Sequence, residues 1–118
     1  MALDTVNDYI VSARRLLLDE AEPYRYPTAD LVDAMNIGIM EAVRLRPDLF
    51  FKTLRTGVPA SYSASALSTT VALDVRYRSA LLYYVVGMAQ LRDDEATQDQ
   101  RAGALLAKFT AQLMSAQA

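Results

Sequence analysis

Three residue types are missing from this 118-residue sequence: it has no cysteine, no histidine and no tryptophan. Without cysteine there is no disulfide framework and no thiolate metal site. Without histidine the commonest general base and the commonest transition-metal ligand are gone. Ser-His-Asp and Cys-His nucleophilic chemistry and histidine–metal chemistry are excluded, and only carboxylate chemistry on Mg²⁺ or Ca²⁺ survives. No apolar run reaches the ~18 residues that a membrane span needs, so no membrane contact is expected. The start, Met1-Ala2-Leu3-Asp4, lacks the basic stretch and apolar core of a signal peptide, and a cytoplasm-like compartment is the default expectation.

What is present suits one folded domain. Apolar types make up 53% of the chain, enough for a hydrophobic core, and charged residues 22%. The net charge of −2 does not favour nucleic acid, but the charge is unevenly spread. Residues 1–43 hold eight acids and three bases, and residues 79–118 hold four acids and three bases. Residues 44–78 hold six bases (Arg44, Arg46, Lys52, Arg55, Arg76, Arg78) against Asp48 and Asp74. A basic middle could face phosphate or an acidic partner; it also suits a solvated loop.

The periodicity predicts an all-α domain resembling a four-helix bundle, with helices over about 4–20, 28–46, 71–92 and 95–115. In the first, Val6, Tyr9, Ile10, Ala13, Leu16 and Leu17 recur at one-face spacing, with Asp4 as the N-cap and Asp8, Arg14, Arg15 and Asp19 on the solvent side. Pro23 and Pro27 bound the connection that follows. In the second, Thr28 is the expected cap; Leu31, Met35, Ile39, Ala42 and Val43 form the stripe, Gly38 marks a close approach by a neighbouring helix, and Arg46-Pro47 ends the run. The third carries Ala80, Leu81, Tyr84, Val85, Met88 and Leu91, with Leu82, Tyr83 and Val86 beside them. Such an all-round apolar helix is central in a bundle or covered by a second chain. The fourth presents Ala102, Leu105, Leu106, Phe109 and Leu113.

Between the second and third helices, residues 48–70 read as an extended loop that allows a short β-hairpin, with strands near 50–56 and 60–64. Phe50, Phe51, Leu54 and Tyr62 sit there with the bases Lys52 and Arg55, and an isolated bundle has little left to bury them against. These residues are expected to meet a neighbouring subunit or partner. Two tyrosine–arginine clusters join them as candidate interface residues: Tyr24, Arg25 and Tyr26 in the first connection, and Arg76, Tyr77 and Arg78 at the start of the third helix. Covering the end of the bundle explains the two clusters equally well. Asp93-Asp94-Glu95 lacks the glycine of a calcium-binding loop and reads as first-turn acids, while Asp30, Asp33 and Glu41 are too far apart along one helix for a compact site. Hence no catalytic residue, no metal ligand and no cofactor is expected, and the chain reads as an interaction protein.

Two stretches carry a resemblance. The first runs from Tyr26 to Asp48, YPTADLVDAMNIGIMEAVRLRPD: an aromatic turn, a capped helix bearing Leu and Asn, and an Arg-Pro-Asp exit. The second runs from Val71 to Asp94, VALDVRYRSALLYYVVGMAQLRDD, followed by a helix with an alanine-rich start. In order and spacing they resemble the small head-to-tail adaptor (connector) proteins of tailed bacteriophages. One departure is the short middle, residues 49–70, where many such proteins carry several strands. The resemblance implies a structural virion neck protein, assembled in the host cytoplasm as a ring of about twelve copies beneath the portal, joining head to tail and lining the DNA channel. Its expected partners are the portal protein, a further neck or tail protein (tail tube, nozzle or stopper), and DNA, which it would touch non-specifically through backbone phosphates. A different reading is a small cellular helical adaptor or regulatory domain that holds one partner protein in a cleft.

Overall fold

The computed structural model describes residues 3–50, 61–71, 73, 75–91 and 96–114. They form four helices: α1 (Val6–Leu17), α2 (Thr28–Leu45), α3 (Arg78–Leu91) and α4 (Ala96–Met114). One 3₁₀ turn, Pro47–Phe50, follows α2 and another, Val75–Tyr77, leads into α3. Among the described residues there is no strand, only an isolated antiparallel bridge between Thr5 and Thr70. The fold is all-α and bundle-like.

The start of α1 lies one residue later than the expected cap. Thr5 Oγ1 accepts the Asp8 amide at 3.3 Å, and Asp8 Oδ2 accepts the amides of Thr5 and Asp4 at 3.1 and 3.0 Å. This capping box satisfies donors in both directions, which Asp4 could not do alone. Asp4 instead forms an ion pair with Arg78 at the start of α3. The next two amides of α1 are met from outside the helix: Val6 donates to the Thr69 carbonyl at 3.0 Å and Asn7 to that of Leu67 at 2.9 Å. The Val71 amide returns a bond to the Asp4 carbonyl at 2.8 Å. Residues 67–71 therefore finish the end of α1.

The helix closes at Leu17, earlier than its periodicity suggests, because Leu18 turns into the left-handed region (φ 55°). Leu18 and Asp19 donate backward to the carbonyls of Arg15 and Arg14, the paired bonds of a Schellman turn. At α2 the cap is Pro27, whose carbonyl accepts from Asp30 and Leu31; Thr28 is already helical, and its hydroxyl is used elsewhere. Pro47, lacking an N–H and clashing with a continued helix, ends α2.

Helix α3 is central in the bundle and packs on α1, α2 and α4. Most of its apolar circumference is used within one chain: Ala80, Leu81, Tyr84, Val85, Val86 and Ala89 are buried, while Leu82 and Tyr83 are half-buried and Leu91 is exposed. A close helix contact lies at Gly38, where a Cβ would stand 2.6 Å from Leu81 Cδ1 and 2.9 Å from Tyr84 Cδ1. Glycine is needed there for proximity, not for backbone freedom. Tyr84 also meets Phe109 of α4 edge-to-face, with ring centroids 4.8 Å apart. Of the residues expected in the core, Leu31, Met35, Ile39, Leu81, Tyr84, Val85 and Phe109 are buried, and Leu17, Met88 and Leu105 pack against them partly exposed. Leu16 is a correction: it is 37% exposed, because the apolar row of α1 swings past the core before the last turn.

The middle also needs correcting where it is described. Phe50 lies in the core, and residues 61–71 hold no strand but are tied to α1 and α2. Asn36 acts as a backbone substitute here: its side chain accepts the Tyr62 amide at 2.7 Å and donates to the Tyr62 carbonyl at 3.0 Å. Phe51, Lys52, Leu54 and Arg55, with the rest of the segment 51–60, lie outside the described residues, as do Asp93, Asp94 and Glu95.

Candidate interaction surface

The connection between α1 and α2 is built around a buried ion pair. Arg14 and Asp19, expected on the solvent face, are only 6% and 7% exposed. The Arg14 guanidinium donates to Asp19 Oδ2 at 3.0 Å, the Tyr26 carbonyl at 2.9 Å and Thr28 Oγ1 at 2.9 Å, and its flat face lies 3.7 Å from the Tyr24 ring centroid. Asp19 in turn accepts the amides of Arg25 at 2.8 Å and Tyr26 at 3.0 Å. Burial alone would raise the Asp19 pKa, but those two amides and the adjacent guanidinium outweigh it and hold the carboxyl below its ordinary value. Sequence spacing contained one clue: Arg14 stands four residues after the buried Ile10, on the same helical row.

The two tyrosine–arginine clusters are split by this packing. Tyr26 and Tyr77 are buried in the bundle core. Tyr24 is partly exposed as the platform for Arg14, and Arg25 is exposed beside it. Arg76 is exposed, lying 5.5 Å from the Tyr77 ring centroid, while Arg78 is half-buried in its pair with Asp4. Tyr62 is half-buried against α2.

Three of the six bases of the middle, Arg44, Arg46 and Arg78, are paired with carboxylates among the described residues. Arg44 binds Glu41 at 2.7 Å, and Arg46 grips Asp48 through two bonds of 2.8 and 2.7 Å. Arg46 also donates to the Leu113 carbonyl at 2.8 Å, joining the exit of α2 to the end of α4. Each of these carboxylates is held below its ordinary pKa, first by its arginine hydrogen bond. Among the described residues every resolved carboxyl shift, at Asp8, Asp19, Glu41 and Asp48, is downward. That keeps them ionised at neutral pH and unsuited to donating a proton. The Tyr9 phenol is pushed well up by burial and donates to the Arg78 carbonyl at 3.1 Å. No group of three or more acids able to hold a metal ion occurs among the described residues, and no helix there is long and apolar enough to cross a membrane.

An open groove of about 360 Å³ lies between α1 and α3, lined by Leu3, Ser12, Arg15, Leu16, Leu82 and Tyr83. Four of its six lining residues are apolar or aromatic, and the charged one, Arg15, is paired with Glu20 at 3.7 Å. Lys108 of α4 stands 4.6 Å from the Tyr83 ring centroid, and Arg101 donates to the Leu16 carbonyl at 3.0 Å. No protein-family model, curated protein or solved structure matches the chain.

Proposed function

We propose that the chain is a structural head-to-tail adaptor of a tailed-phage neck, binding beneath the portal as a ring of about twelve copies and holding the next neck or tail component on its other side. One observation carries the reading. The Arg-Pro-Asp exit of the resembling stretch is a built joint, in which Arg46 clamps Asp48 and anchors the end of α4 through Leu113, so the chain leaves α2 in a fixed direction. The chemistry of the described polar residues fits a non-catalytic role, since their shifted carboxylates are committed to caps and ion pairs. DNA in the channel would be touched only through phosphates, and such contact weakens steeply with salt.

The groove between α1 and α3 favours a second reading, a small cellular helical adaptor or regulatory domain holding one partner protein. Deleting the coding sequence separates the two. An adaptor mutant accumulates DNA-filled heads and free tails that fail to join, with infectivity restored by the chain supplied in trans. Normal joined particles, or the absence of portal and terminase genes from the encoding genome, would overturn the adaptor reading.

A further inference from the structure

Leu18 breaks two rules of local structure at once. It is the one non-glycine residue with positive φ among the described residues, at the position closing a helix where glycine is favoured. A branched side chain in the left-handed region is strained, because its Cβ crowds the backbone. It is also 88% exposed, the most exposed large apolar residue described. The backbone of the turn is held by its Schellman bonds, but the side chain itself is left in solvent, with Glu20 and Glu22 exposed nearby in sequence. Violations of this kind gather where a residue serves something outside the fold.

The groove between α1 and α3 is the complementary surface. It offers apolar side chains, Leu3, Leu16, Leu82 and the Tyr83 ring, to an apolar knob. Arg15 in its lining is paired with Glu20 at 3.7 Å, while Arg101, bonded to the Leu16 carbonyl, and Lys108, over the Tyr83 ring, bring positive charge beside the lining residues. Leu18 with the exposed Glu22 is an apolar anchor beside a carboxylate, which matches the apolar lining and the Arg101 and Lys108 cations in polarity and charge.

We infer that Leu18 is a self-association anchor: the Leu18–Glu22 turn of one copy seats in the α1–α3 groove of a second copy of this chain. The interface needs only the chain itself and does not rest on the adaptor reading. Its contact is small, so association is concentration-dependent, and the charges beside it make it weaken with salt.

Sedimentation equilibrium of the purified chain over a range of concentrations tests this. The wild type is expected to exceed the 13.0 kDa of one chain as concentration rises. Leu18→Gly removes the anchor while supplying the residue the turn prefers, and Leu18→Asn keeps a left-handed-tolerant residue but makes it polar. Both are expected to weaken association at least about tenfold, the effect of losing a buried leucine, while melting no more than a few degrees below the wild type. At low salt, Lys108→Glu and Glu22→Lys should each weaken association, and the two combined in one chain should restore part of it. The inference is overturned if the wild type stays at 13.0 kDa up to about 1 mM, or if both Leu18 variants associate as the wild type does.

Discussion

Removing the charge of Asp19 should be among the most damaging conservative changes available to this protein. Asp19→Asn keeps the size of the side chain and one acceptor oxygen, but it leaves Arg14, 6% exposed, with no anion beside it. Breaking one side of a buried pair costs about 3–5 kcal/mol, because the remaining charge stays desolvated. The Arg14 bonds to Tyr26 and Thr28 and its stacking on Tyr24 stay possible, which favours the lower end. With a urea m-value of about 1.5 kcal/mol/M, a loss of about 3 kcal/mol moves the unfolding midpoint down by about 2 M. Arg14→Met should cost a similar amount, since it strands Asp19 on its two backbone amides alone. The double variant should lose at least about 1 kcal/mol less than the sum of the singles, as residues sharing a network do. Urea titrations followed by circular dichroism measure all three. A single loss below about 1 kcal/mol, or strict additivity, would refute the claim that this pair holds the α1–α2 connection.

Gly38→Ala should destabilise the protein by about 1–2 kcal/mol despite the better helix propensity of alanine, because Leu81 and Tyr84 leave its Cβ no room; Gly103→Ala, with open space around it, should instead gain about 0.5–1 kcal/mol. Thermal melts of the two variants give the opposite signs directly. Leu81→Ala should cost about 2–5 kcal/mol, since Leu81 is wholly buried at the centre of the bundle; a loss under about 1 kcal/mol in denaturant would mean that α3 is not central. Acidification should destabilise the wild type more than Asp19→Asn. The folded pKa of Asp19 lies below its ordinary 3.8, so its contribution is complete above that value and is lost as pH falls through the folded pKa. Melting temperatures between about pH 5 and pH 2 should therefore drop more steeply in the wild type, and parallel curves would contradict the assignment.

The parts of this fold that follow from side-chain periodicity were legible in the sequence. Helices α2, α3 and α4 each show an apolar row long enough to fix the element, and the all-round apolar character of α3 reflects its central place. Gly38 was readable as a close approach because a glycine inside an otherwise strong helix needs a steric reason. What escaped depends on groups that leave no periodic trace. The Thr69 and Leu67 carbonyls that finish α1 are backbone atoms, so residues 61–71 read as a free loop although they are anchored. Arg14 and Asp19 read as solvent-facing because charge is usually exposed, and their burial depends on a partner five residues away across a turn. The bases of the middle were visible as an excess, but the pairing of Arg44, Arg46 and Arg78 with Glu41, Asp48 and Asp4 depends on folded geometry. Leu18 looked like one more leucine in a helix until its backbone turned left-handed and carried its side chain into solvent.

The adaptor proposal is tested most directly by mixing the purified chain with the portal ring encoded in the same genome and imaging the particles by electron cryomicroscopy. The account predicts one ring of about twelve copies on the tail-facing end of the portal, coaxial with the DNA channel. Portals that stay bare, or that carry one or two copies at scattered positions, would contradict it.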